Sequence, residues 1–383
     1  MKKSVLVLAV LGACANVSHA QNSVTLYGLA DEGLDYTNNA GGHSLYAMSS
    51  GDAQGSRWGL KGTEDLGGGM KAIFQLEAGF NINNGKIGQE GQEFGRQAYV
   101  GVSSATVGTL TFGRQYDSLV DYLAPLTANG NWGGAMFSHP YDNDNTDNSF
   151  RLNNAVKYTS VDYGGFTFGG AYAFSNSTSF ALNRAESLGA QYTNGPLTIA
   201  AAYLNLDNPN AGSAGAVADL GTSGADGSWF AARQRVFGAG VSYTISAATL
   251  GFVYTNTNLS QPTGTVYASV TPASSIKFNN FEINAKYQFT PAFYVGGMYT
   301  YTTSTYDAIS GDSAKPKYHQ FGLMADYNLS KRTDVYVQGS YVLVSDASDA
   351  IGTGLEFAAN PDAAAPSSSN KQFMARVGIR HQF

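Results

Sequence analysis

Apolar and polar residues alternate along most of this chain with a period of two. Phe281, Ile283, Ala285, Tyr287 and Phe289 are separated by Glu282, Asn284, Lys286 and Gln288. The same alternation runs from Phe321 to Asn328 and from Phe373 to the terminal Phe383. Such a pattern is a strand with one apolar and one polar face. Sixteen segments fit it: 23–36, 55–64, 69–80, 95–104, 106–115, 152–160, 165–175, 186–194, 197–206, 233–246, 248–258, 279–290, 292–304, 317–329, 333–345 and 371–383. Many reach about ten residues, the length of a tilted bilayer-crossing strand, where strands of ordinary sheets average about five or six.

The connections alternate in length. Asp65 to Gly68, Ala105, Asn194 to Pro196, Ala247, Pro291 and Ser330 to Arg332 are tight. Segments 37–54, 116–151, 207–232, 259–278 and 346–370 are long and rich in Gly, Asn, Ser, Asp and Ala. An open sheet of this size leaves two unpaired edges, which lipid does not tolerate, so the sheet is expected to close. The predicted fold is all-β: a 16-stranded transmembrane antiparallel β-barrel with short periplasmic turns and long extracellular loops. Tyr158, Phe168, Tyr192, Tyr203, Tyr243, Tyr254, Tyr287, Tyr299 and Tyr327 fall on the apolar faces, where aromatic girdles belong.

Composition supports this reading. Only 13% of the 383 residues are charged, while Gly (46) and Tyr (24) are abundant, unlike an ordinary soluble enzyme. With 22 basic against 28 acidic residues, no nucleic-acid partner is expected. The longest apolar run past the N-terminus, Ile199 to Leu204, is far too short for a spanning helix. At the start, Lys2 and Lys3, the apolar stretch Val5 to Ala15 and Ser18-His19-Ala20 read as a signal peptide over 1–20. The rival reading, lipidation at Leu11-Gly12-Ala13-Cys14, would leave too little apolar stretch upstream. Removing 1–20 leaves 21–383 as one barrel domain without cysteine, suited to the oxidising bacterial envelope.

Alternation also assigns facing. Trp58, Leu60 and Gly62 alternate with Arg57 and Lys61, and Ala72, Phe74 and Leu76 with Lys71, Gln75 and Glu77. Charge at lipid depth costs a few kcal/mol, so Arg57, Lys61, Lys71 and Glu77 are expected to face the lumen. Lys157, Glu282, Lys286, Arg376 and Arg380 face water by the same rule. The longest loop, 116–151, carries Asp117, Asp121, Asp142, Asp144 and Asp147 and no basic residue before Arg151. Its Asp142-to-Asp147 run lacks the glycine and closing glutamate of a calcium loop, and no metal or cofactor is expected. No Gly-x-Ser-x-Gly, HExxH or P-loop occurs, and His43, His139, His319 and His381 have no partner implied by spacing. A hydrolytic barrel is therefore disfavoured.

Several stretches carry a family resemblance. Gln21 to Gly28, Ser56 to Gly68, Ala72 to Glu77, Phe94 to Gly101, Thr111 to Gln115, Asn153 to Thr159 and Phe383 resemble the trimeric porins of Gram-negative outer membranes. The likeness is strongest to the branch common in beta-proteobacteria and runs from the first strand to the last. It implies an outer-membrane homotrimer among lipids, passing ions and small hydrophilic solutes, or one preferred solute. It further implies that 116–151, the third loop, folds into the pore as a constriction. The resemblance places Arg57, Glu77 and Arg96 at the constriction; Arg151, next to the start of the sixth strand, is added in support, and a loop folded inside would set its carboxylates, Asp117 and Asp121 among them, opposite. By alternation Lys61, Lys71, Lys157, Lys286, Arg376 and Arg380 line the pore, and the terminal Phe383 is expected to be the C-terminal assembly signal. The basic inward positions favour anions and the acidic loop favours cations, which leaves ion preference open.

Overall fold

The computed structural model describes residues 23–209, 211, 214–217, 229–265 and 269–383; segment 1–20, read as the export signal, lies outside the described residues. Strands occupy β1 (Ser23–Ala40), β2 (His43–Ser50), β3 (Arg57–Gly67), β4 (Met70–Gly79), β5 (Gln97–Ser104) and β6 (Gly108–Gln115). After the long 116–151 segment come β7 (Leu152–Thr159), β8 (Phe166–Ala173), β9 (Arg184–Asn194), β10 (Leu197–Asp207), β11 (Arg233–Ile245) and β12 (Ala248–Ser260). The wall is completed by β13 (Ala273–Thr290), β14 (Phe293–Ala308), β15 (Ser313–Ala314), β16 (Lys317–Asn328), β17 (Thr333–Ser345) and β18 (Lys371–Gln382).

Sixteen of these strands correspond to the predicted segments and pair antiparallel with their neighbours. The other two lie in connections: β2 folds back on the outer half of β1, and β15 pairs with the end of β14. Closure comes from β1, which pairs with β3 through Ser23↔Thr63 to Leu29↔Arg57 and with β18 through Leu29↔Gln382 to Thr37↔Met374. Every backbone edge inside the wall is thereby paired, as lipid requires. The β13–β14 hairpin continues past its predicted end to Ala273↔Ala308, because the polar Ser275, Thr303 and Thr305 pair as well in water as the membrane portion does in lipid. Gly67, Gly68 and Gly69 all take φ between 62° and 81°, left-handed values that close the β3–β4 turn at no Cβ cost.

Facing follows the pleat. On β18, Phe373, Val377 and Ile379 are exposed outward while Gln372, Met374 and Arg376 are buried inward. The inner face, however, is not polar throughout. Met298, Met324 and Met374 cluster there with Trp132 and Phe137 of the 116–151 segment. A second cluster joins Leu119, Tyr122, Leu123 and Leu126 to inward Ala, Leu and Val side chains of β7 to β12. The segment, predicted as a loop, forms short helical turns from Leu119 to Asp142. Inward glycines make room for it: a Cβ at Gly296 would stand 2.7 Å from the Trp132 ring, and one at Gly322 2.5 Å from Phe137. Burying two such aromatic rings contributes about 1.5–3 kcal/mol each.

Candidate functional site

A cavity of ≈ 420 Å³ lies between β3–β6 and the 116–151 segment. Arg57, Glu77, Arg96, Tyr116 and Arg151 line it together with Asn129, Asn131, Trp132 and Asp147 of the segment; Arg380 and Asp52 also reach it. Glu77 is the hub of the basic wall and is buried. Its Oε1 accepts from Arg96 Nε at 2.8 Å and from the Tyr116 hydroxyl at 3.3 Å. Its Oε2 accepts from the Tyr27 hydroxyl at 2.9 Å and lies 3.8 Å from Arg57 Nε. Arg57 also donates to the Gly55 carbonyl at 2.9 Å, and Arg96 to the Tyr116 hydroxyl at 3.1 Å. Two guanidinium groups thus share one carboxylate, leaving a net positive charge. Arg151 extends the basic wall, its guanidinium 5.8 Å from the Tyr116 ring. The three residues placed together by resemblance, Arg57, Glu77 and Arg96, do meet here, although Arg96 precedes β5 and follows no alternation.

Known proteins resemble this chain over its length. The Gram-negative porin family model matches residues 7–347. The chain belongs to the Gram-negative porin family. An outer membrane porin of Bordetella pertussis is 35% identical across 93% of this chain and 99% of its own length. Outer membrane porin protein 32 of Delftia acidovorans is 32% identical over the whole of both chains. Among solved structures, an anion-selective porin from Comamonas acidovorans matches with a TM-score of 0.71 at 27% identity, covering 95% of this chain and all of its own. A trimer form of OmpT from Vibrio cholerae shares the fold, with a TM-score of 0.66 at 17% identity over 94% of this chain and 99% of that one.

In this porin several expected pore residues stand elsewhere. Asp117 does not face the cavity: it is fully buried, accepting from Leu119 N at 2.7 Å and Asn145 Nδ2 at 2.6 Å, and fixes the root of the loop. Burial pushes its carboxyl up to about 6. Arg376 points inward as expected but presents almost no surface to water, at 1% exposure. It is enclosed by Asp31, Asp35 and Asp52 at 3.4, 2.9 and 2.7 Å, and donates to the Tyr336 hydroxyl. Glu282, also read as water-facing, is covered by the 116–151 segment. For Arg376 and Glu282 the covering connections, invisible to strand alternation, are the reason; Asp117 turns its carboxylate into its own loop.

Other assignments stand closer to expectation. Asp121, predicted opposite the basic residues, does not line the cavity but pairs with Lys157, whose Nζ also donates to the Tyr116 carbonyl at 3.0 Å. Arg380 pairs with Asp326 and Asp334 at the cavity's edge. Lys61 and Lys71 are exposed, Lys61 lying 5.3 Å from the Tyr27 ring, and Lys286 lies 5.4 Å from the ring of Tyr294. The Phe383 backbone pairs with Gly28 in both directions, so the C-terminus is tied to β1. In the acidic run, Asp142 caps the backbone N–H groups of Asp147 and Ser149, and Asp144 accepts from Thr146. Burial raises Asp142 to about 8.

The residue sequence reasoning missed is His139. It is fully buried, its Nδ1 2.6 Å from Asp144 Oδ2 and its Nε2 3.1 Å from Glu282 Oε2. Burial alone would lower this imidazole, but the two carboxylates, Asp144 foremost, hold it up at about 10. Asp144, which burial alone would raise, is held down at about 2 by His139 and by hydroxyl donors. Its partner Glu282 lies 143 residues away, so no local spacing could signal the pair.

Proposed function

We propose that this outer-membrane porin is a homotrimeric, water-filled diffusion channel, narrowed by segment 116–151 and preferring anions. The observation carrying this reading is the charge around the cavity: four arginines and three carboxylates line it. Two of those carboxylates are already matched, Glu77 by Arg96 and Asp52 by the enclosed Arg376. Arg57 and Arg96 share the single carboxylate of Glu77, so this part of the wall carries an excess positive charge, and fixed rows of charge decide which ions pass. The anion-selective porin from Comamonas acidovorans, similar over its whole length, supports the same sign. A sixteen-stranded wall leaves room for an aqueous channel, as barrels of about 16–18 strands do.

The trimer rests on the family and on the trimer form of the Vibrio cholerae relative. Export by a cleaved segment 1–20 is part of the proposal, as is an assembly role for Phe383. Liposomes carrying the protein should swell in small uncharged sugars, at rates falling steeply with sugar size. Unheated samples on a denaturing gel should run near three times the heated mass. Absence of swelling for every sugar would overturn the diffusion reading, and a barrel monomeric in every mild detergent would overturn the trimer.

A further inference from the structure

We propose that Glu282 and His139 form a two-point clamp that holds the tip of segment 116–151 at its working distance from the basic wall. The inference rests on the reading above, that this segment narrows the channel. Glu282 stands inward on β13 and grips the loop twice. Its Oε1 accepts from the Ala128 backbone N–H at 2.7 Å, and its Oε2 meets His139 Nε2 at 3.1 Å. Ala128 and His139 bracket the stretch that carries Asn129, Asn131 and Trp132, the loop's contribution to the cavity. A single strand carboxylate therefore pins both ends of the tip.

The chemistry of the clamp requires a charged imidazole. An ionised carboxylate only accepts, and His139 has a carboxylate oxygen at each ring nitrogen, so both nitrogens donate and the ring is an imidazolium. Further donors serve the same carboxylates: Asn284 donates to Glu282 Oε1 at 2.6 Å, and Thr255 and Thr146 donate to Asp144 at 2.5 and 3.0 Å. The titratable groups facing His139 are Asp144 from its own loop and Glu282 from β13; β12 contributes only the Thr255 hydroxyl. Beyond the clamp, Gln320 and Asn360 hold the Met136 carbonyl at 3.1 and 2.8 Å, and Ala135 N donates to Asp52 O at 2.8 Å. These bonds keep the segment against the wall, so losing the clamp loosens the stretch between Ala128 and Ala135 without detaching the segment or unfolding the wall.

The pH dependence follows. The imidazole is raised from 6.5 to about 10, so its contribution is complete below 6.5 and lost as pH rises through about 10. Asp144 is lowered from 3.8 to about 2, so its contribution is complete above 3.8 and lost as pH falls through about 2. His139 is a positioning residue by this account, and its signature is an alkaline transition in channel noise.

Single-channel recordings in planar bilayers test it. Wild type should be quiet at pH 7 and show about tenfold more frequent subconductance excursions above pH 10, the change expected from losing one charge-assisted hydrogen bond. His139→Gln should show those excursions already at pH 7, with no further rise near pH 10. Glu282→Gln keeps the shape of the anchor and should move the transition to lower pH, and it serves if His139→Gln does not assemble. Asn131→Lys, at the exposed tip, separates the two readings because it should shift the reversal potential toward anions. If Asn131→Lys shifts it while His139→Gln and Glu282→Gln behave as wild type, the clamp is wrong and the constriction stands. If Asn131→Lys is silent too, the constriction reading fails and takes the clamp with it.

Discussion

Arg376→Leu should unfold at a far lower urea concentration than the wild-type barrel. Arg376 sits on the closing strand β18, and its partners Asp31 and Asp35 lie on β1, with Asp52 in the connection after β2. The guanidinium thereby fastens the seam where the sheet becomes a barrel. It also donates to the Ser49 carbonyl at 3.1 Å, which holds the β2 hairpin against the same seam. Removing one partner of a buried ion cluster leaves the others uncompensated, at a cost of about 3–5 kcal/mol. Arg376→Lys keeps the charge but loses the planar fork that reaches several acceptors at once, so it should fall between. The urea midpoint, read from the heat-sensitive gel shift, checks both. A wild-type midpoint for Arg376→Leu would mean that the cluster contributes nothing to closure.

Arg57→Ser should move ion preference toward cations and leave the barrel's stability nearly unchanged. Glu77 keeps Arg96, Tyr27 and Tyr116 as partners when Arg57 is gone, so no buried charge is stranded. The wall loses one positive charge from a group that is 21% exposed to the cavity. Even with the dielectric constant of water, a unit charge about 4 Å from a passing ion is worth about 1 kcal/mol, roughly fivefold in the ratio of anion to cation permeability. Reversal potentials of the variant and wild type in the same salt gradient measure this directly. Arg96→Ser makes a useful contrast, because it removes the closest partner of Glu77 and should cost stability as well as selectivity.

The wall of this molecule was legible and its interior only partly so, for a physical reason. Lipid imposes one apolar face on every strand, and the period-two pattern records that demand residue by residue. The inner face answers to two environments, water and loop, which call for different residues at positions that alternation treats alike. Met298, Met324 and Met374 were the available signal: three apolar side chains in the inward register, where the loop docks. Inward Gly296 and Gly322 are the matching recesses. Arg376 and His139 could not be partnered in advance, because their carboxylates lie up to 345 and 143 residues away and meet them only once the barrel closes and the loop folds back. Arg57, Glu77 and Arg96 were found through resemblance to relatives, and for Arg96 alternation would have failed.

The most direct test of this account is the zero-current potential of the wild-type protein in a planar bilayer separating concentrated from dilute potassium chloride. The account predicts stepwise insertion of long-lived open channels whose reversal potential has the sign of chloride preference, weakening as ionic strength screens the arginine wall. A reversal potential of the potassium sign at low salt would contradict it.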